Sequence, residues 1–116
     1  MKKFLLILSL LLVVGCSNKT TYKTISTKET FNEIGSTKII DVRSEAEYKS
    51  GHIESSINIP LEKIDEINLN KEIKIIVYCA SGRRSKLAAD KLIEMGYKNV
   101  YDMGGISNWK YDIVRW

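Results

Sequence analysis

Hydrophobic residues in this chain come in short blocks separated by polar or glycine-marked breaks. The first block is the longest: Phe4 to Val14 is interrupted only by Ser9. Tyr22 to Ser26 alternates in a strand-like way. Thr27 to Ile34 reads as a short helix, with Thr27 as N-cap, Thr30 in the third position and Gly35 as the stop. Lys38 to Val42 is a short apolar run that suits a buried strand. Ser44 caps a charged helix through Lys49, with Glu45 and Glu47 in its first turn and Gly51 ending it. Ile57-Asn58-Ile59 is a further strand, closed by Pro60. Leu61 to Ile67 allows one or two helical turns. Lys74 to Tyr78 has the pattern of a central strand. Arg84 to Met95 is the clearest helix, with Leu87, Ala88, Leu92 and Met95 along one stripe and Gly96 as the stop. Asn99 to Asp102 is a last strand, followed by Gly104-Gly105 and a short helix around Trp109.

Strands alternate with helices throughout. That order predicts an α/β fold with a mainly parallel central sheet and helices on both faces. Ligands of such sheets sit outside the carboxyl ends of the strands. Asp41 and Cys79 each lie at such an end, so they are expected to share one crevice.

The first block is something else. Lys2 and Lys3 precede it, and it is too short for a lasting membrane helix, which needs about 20 apolar residues. Residues 1–15 have the flanks and length of a secretory signal. Val13-Val14-Gly15-Cys16 resembles a bacterial lipobox. That resemblance implies cleavage before Cys16, lipidation of Cys16 with fatty acyl chains such as palmitate, and a domain anchored on the extracytoplasmic face of a membrane in the cell envelope. Residues 16–21 then form the lipidated cysteine and a polar tether, and 22–116 the domain. Loss of residues 1–15 removes two lysines and no acid, so the formal charge falls from +4 to +2. No basic block remains, which argues against nucleic-acid binding. About 100 residues suffice for one modest core. No cofactor is expected. No metal site is expected either, because one histidine and one remaining thiol cannot build one.

The chain has two cysteines. With Cys16 carrying lipid, Cys79 is the only thiol left, and in an oxidising exterior a lone cysteine needs a reason. It opens the segment Cys79-Ala80-Ser81-Gly82-Arg83-Arg84-Ser85, between a buried strand and a helix. Such a loop aims backbone N–H groups and a helix N-terminus at one spot. Gly82 lets the backbone curl, and two arginines add positive charge. A cysteine there is expected to be largely thiolate, the nucleophilic form.

Cys79-x-Ser81-Gly82-x-Arg84-Ser85 after a hydrophobic strand resembles the active-site loop of the rhodanese family. Asp41-Val42-Arg43, then Gly51-His52-Ile53 with Ile57-Asn58-Ile59-Pro60, and finally Gly104-Gly105-Ile106-Ser107-Asn108-Trp109 resemble other family elements, in the family's order. The resemblance runs from about Tyr22 to the C-terminus. It implies a rhodanese-like fold and a sulfurtransferase with Cys79 as the persulfide-carrying nucleophile. The implied donor is a small anion such as thiosulfate, and the implied acceptor is cyanide or a thiol. Ala80, Ser81, Gly82, Arg83 and Arg84 would hold substrate, with Arg83 the better placed for direct donor contact and Arg84 serving partly as a structural pin. Backbone amides from Ala80 to Arg84 would stabilise the persulfide. Asp41 and Ser85 would support the loop. The chain is expected to act as a monomer.

Other residues carry blander expectations. Arg43 should pair locally with Glu45 or Glu47, His52 should serve a structural hydrogen bond, and Trp109 should belong to the core. Ser55-Ser56 stands where the family often has alanine, a departure that concerns packing. Two rivals remain. A cysteine-dependent phosphatase of the same fold class has a loop resembling Cys-x5-Arg, whereas Cys79 and Arg84 give Cys-x4-Arg, a loop better suited to a single sulfur. A lipoprotein that only carries persulfide or binds a thiol partner would keep the same loop without turnover.

Overall fold

A computed structural model describes residues 20–116. The signal-peptide reading, Cys16 and most of the tether lie outside the described residues. Five strands form one parallel sheet: β1 (Lys23–Thr24), β2 (Lys38–Asp41), β3 (Ile57–Asn58), β4 (Lys74–Cys79) and β5 (Asn99–Gly105). Their spatial order is β1-β5-β4-β2-β3, so β4 lies at the centre. The α-helices are α1 (Thr27–Asn32), α2 (Glu45–Ser50) and α3 (Arg83–Glu94), and Leu61–Glu66 forms 3₁₀ turns. The α/β fold with a parallel central sheet expected from the alternation is the one observed.

Side-chain alternation along β4 divides the core. Ile75, Val77 and Cys79 enter one cluster with Ile40, Val42, Ile64 and the α3 residues Ala88, Ala89 and Leu92. Ile76 and Tyr78 enter the other, with Ile25, Ile39, Ile53 and Met103. Two alanines in the middle of α3 let its backbone lie close to the sheet. The buried set Ser85, Ala88, Ala89 and Leu92 has i, i+3, i+4, i+7 spacing, which fixes the helix's rotation. Leu87 therefore does not belong to the expected apolar stripe: it is 55% exposed.

The caps of the first two helices use one device. Ser44 accepts the Glu47 N–H at 3.2 Å while Glu47 reaches back to the Ser44 N–H at 2.9 Å, a capping box. The same box at α1 is made by Ser26 and Glu29, not by Thr27 and Thr30. The carboxylate needed at the third helical position exists only if the cap is Ser26. Thr30 instead is buried and donates its hydroxyl to the Ser26 carbonyl at 2.9 Å.

Two buried polar systems fasten the carboxyl ends of β2 and β4. Asp41 Oδ1 accepts the Arg43 N–H at 2.8 Å, and Arg43 Nη2 donates to Asp41 Oδ2 and to the Gly51 carbonyl, each at 2.7 Å. Arg43 thus pairs with Asp41 rather than with Glu45 or Glu47, because residues two apart on an extended segment share a face. The second system centres on Tyr78, which is fully buried. Its hydroxyl accepts the Ile53 N–H at 3.1 Å and meets Ser56 Oγ at 3.1 Å, while Ser56 Oγ donates to the Ile53 carbonyl at 2.6 Å. The serine in place of alanine therefore has a partner: it satisfies a buried phenol. Burial, and after it the charge of Asp41, pushes the Tyr78 pKa upward.

Tyr78→Phe leaves the Ile53 N–H without its acceptor in the core. The expected cost is about 1–3 kcal/mol, read as a lower urea midpoint at unchanged slope. An unchanged midpoint would mean that the hydroxyl network contributes nothing net.

Candidate functional site

The loop between β4 and α3 is organised around one sulfur. Gly82 adopts the left-handed conformation, with φ of 102°, and precedes the first helical residue, Arg83. It has no side chain with which to cap α3. The helix's free N–H groups turn inward instead. The Gly82 N–H donates to Cys79 Sγ at 3.0 Å and the Ser85 N–H donates to it at 3.2 Å. Ser85 is the third helical residue, the one that a capping side chain usually serves. Cys79 Sγ takes that place. Two N–H dipoles and the helix N-terminus thus point at the sulfur. The sulfur-facing donors are Gly82 and Ser85, so the set reaches one residue beyond the expected Ala80–Arg84 range. Helix geometry explains this, since it is the third helical amide that points back at a cap.

The loop rests on the last strand. A bulge shifts the β4–β5 register between Val77 and Tyr78, so that Val77 faces Asp102 and Tyr78 faces Gly104. The bulge brings Gly105 beneath Cys79 and the loop. A Cβ on Gly105 would lie 2.5 Å from the Ala80 carbonyl oxygen and 2.8 Å from Ser81 Cα, so only glycine fits there. The Ser107 N–H donates to the Ala80 carbonyl at 3.2 Å. Gly104-Gly105 was legible as a motif, but its task as the loop's floor was not.

The two arginines separate. Arg84 Nη1 and Nη2 donate to Glu47 Oε1 and Oε2 at 2.8 and 3.0 Å. This fork ties the start of α3 to α2, and Arg84 is pinned. Arg83 is exposed and makes no ion pair among the described residues. Ser81 is exposed, and Ser85 is buried with its hydroxyl 3.3 Å from the Gly82 carbonyl. Cys79 itself is only 1% exposed.

Asp41 does not share the crevice with Cys79. It alternates onto the face of Ile39 and Tyr78, opposite Cys79, and its carboxylate is taken up by Arg43. His52 is also spent on structure. Its ring stacks on Tyr48 with centroids 3.6 Å apart, its Nδ1–H donates to the Tyr48 carbonyl at 2.8 Å, and its backbone pairs with Val114. Trp109 is half-buried, packed on the second core cluster and grouped with Phe31 and Tyr111. Glu47, expected in the sequence only as a first-turn acid and an alternative partner of Arg43, is the site residue that sequence reasoning missed. The capping-box spacing marked its helix position but not its partner 37 residues away.

Residues 26–112 match the family model described as Rhodanese-like domain. A thiosulfate sulfurtransferase GlpE of Coxiella burnetii is 34% identical over 94 residues, covering 77% of this chain and 88% of that protein. A putative mitochondrial thiosulfate sulfurtransferase of Schizosaccharomyces pombe is 40% identical over 85 residues. There the alignment covers 60% of this chain and 60% of the relative, so the chain spans about three-fifths of that protein. Among solved structures, a rhodanese-related protein from Thermoplasma volcanium superposes with a TM-score of 0.73 at 33% identity, covering 82% of this chain and all of that one.

The Arg84 fork, and after it the Ser44 capping bonds, hold the Glu47 pKa down at about 2. A depressed carboxyl pKa contributes stability that is full above the unfolded value, about 4.3, and is lost as pH falls through the folded value. Glu47→Gln should therefore flatten the loss of stability between about pH 4.3 and 2, measured by chemical unfolding at stepped pH. A variant whose acid profile matches the wild type would show that the fork does not couple to folding.

Proposed function

The chain belongs to the rhodanese-like domain family, and from that premise we propose that it is a sulfurtransferase working through a persulfide on Cys79. The observation that carries this reading is the pair of N–H groups from Gly82 and Ser85 directed at Cys79 Sγ. A group that favours a sulfur anion at a helix start is what a persulfide carrier needs.

The reaction has two steps. The Cys79 thiolate attacks the outer sulfur of thiosulfate, a bond forms between the two sulfurs, and the bond to the sulfonate group breaks. Sulfite leaves with the electron pair. An acceptor, cyanide or a thiol, then attacks the outer sulfur, and Cys79 departs as a thiolate. Loop amides, those of Gly82 and Ser85 among them, stabilise the anionic persulfide. Arg83, exposed and without an ion pair among the described residues, draws in the anionic donor. Arg84 is committed to Glu47 and acts by holding the loop to α2. Asp41 acts through Arg43, on the far face of the sheet.

The same reading includes location. Residues 1–15 serve as a lipoprotein signal, Cys16 carries the lipid, and the domain works on the extracytoplasmic side of a bacterial membrane. The basic start, apolar core and Gly15-Cys16 support it.

Cys79→Ser should abolish thiosulfate-to-cyanide transfer and leave the unfolding midpoint nearly unchanged, since the substitution is close to isosteric. Mass spectrometry of the wild type after thiosulfate should show one added sulfur atom on Cys79. Transfer that survives in Cys79→Ser would remove the nucleophile from the mechanism, and loading without turnover would favour a carrier. Cys16→Ser should move the protein from the membrane to the soluble fraction. Wild-type protein found soluble with residues 1–15 attached would overturn the lipid anchor.

A further inference from the structure

Beside the Cys79 loop runs a cleft of about 660 Å³, lined by Tyr22, Ser81, Gly82, Arg83, Lys86, Leu87 and Asp90. Gly82 belongs to both sides: it lines this cleft, and its N–H lies 3.0 Å from Cys79 Sγ. The cleft carries an unusual set of unspent groups. Arg83, Lys86 and Asp90 are exposed, and none forms an ion pair among the described residues. Lys86 and Asp90 stand four apart on α3, where opposite charges normally meet, but in the less favourable order, with the cation nearer the N-terminus. Leu87 lies between them and is 55% exposed. A second cleft offers the opposite character: Glu45, Glu62 and Glu66 line it with only Lys63 against them. An anion is repelled there and attracted at the first.

We propose that the cleft beside α3 is the acceptor subsite, and that it selects a low-molecular-weight amino-acid-derived thiol bearing both carboxylate and ammonium groups. This rests on the sulfurtransferase reading. Two cations at the loop end receive carboxylate, and Asp90 receives the ammonium. From Arg83 to Asp90 is seven residues of helix, about 10 Å, the span of a small cysteine-containing peptide. Leu87 and the Tyr22 ring cover its methylene and sulfur portions. The volume suits a small ligand. The acceptor thiolate forms a bond to the outer sulfur of the Cys79 persulfide, the Sγ–S bond breaks, and its electron pair returns to Sγ. The acceptor leaves as a persulfide, with sulfur and charge conserved.

The test uses the full chain in detergent, loaded with one sulfur, in single-turnover transfer to separate acceptors. Loading first keeps the donor step out of the readout. Lys86→Gln should raise the half-saturating concentration about three- to tenfold for glutathione and for 3-mercaptopropionate, which has a carboxylate but no ammonium. Asp90→Asn should do so for glutathione only. Neither variant should change transfer to 2-mercaptoethanol, which has neither carboxylate nor ammonium. Equal effects on all acceptors, or none on glutathione, would overturn the subsite. Glutathione titration of Cys79→Ser, followed by chemical shifts of Tyr22, Lys86, Leu87 and Asp90, gives a readout that needs no turnover. If the wild type fails to load or transfer sulfur, the sulfurtransferase reading falls, and the titration alone decides whether the cleft binds the thiol. No shift at those residues would overturn it.

Discussion

The structure depends on a sulfur standing where a helix cap should be. Helix α3 begins without a capping side chain, and the amides of Gly82 and Ser85 close on Cys79 Sγ instead. Two needs are met at once. The third helical amide keeps a hydrogen-bond acceptor, and the helix N-terminus faces the sulfur. The loop has to satisfy narrow conditions for this. Gly82 must take a positive φ, and Gly105 must have no Cβ, because the loop backbone passes within van der Waals distance of it. The bulge in β5 delivers that glycine to its place.

Rigidity around the loop comes from polar groups that are spent on structure. Arg43 holds Asp41 and the Gly51 carbonyl, and the Tyr78 hydroxyl binds Ile53 and Ser56. Both systems lie on the face of the sheet away from Cys79. They fix the ends of the strands on which the loop is mounted. Buried groups of this kind cost more when half-satisfied than when absent, so they act as one unit. On the loop's own side, Glu47 fixes Arg84 and thereby α2 to α3. Of the two arginines that follow Gly82, this leaves only Arg83 without an ion pair among the described residues. Lys86 and Asp90 extend the same unpaired character one turn and two turns further along the helix.

Much of this was legible in order and type. Apolar runs of strand length, helix-length amphipathic runs and glycine stops placed the sheet, the long helix and the Cys79 loop, because those signals are local. Errors arose where a local signal had equal alternatives. Thr27 and Ser26 are both good caps, and only the reach of Glu29 chose Ser26. Leu87 fits an apolar stripe as well as Ala89 does, but the phase of α3 was settled by how closely its alanines approach the sheet.

The sequence by itself determined the α/β order, the position of the nucleophile at a strand end, and the family's motifs in succession. Only the tertiary structure decided which charges are occupied. Arg43 turned to Asp41, Arg84 to Glu47, and Arg83 to solvent. Strand alternation sent Asp41 to the far face from Cys79, which a shared strand end does not reveal. The physical reason is that helix and strand formation follow from neighbours a few residues apart. The partner of a long charged side chain depends instead on which elements pack together, and Glu47 meets Arg84, 37 positions further along the chain.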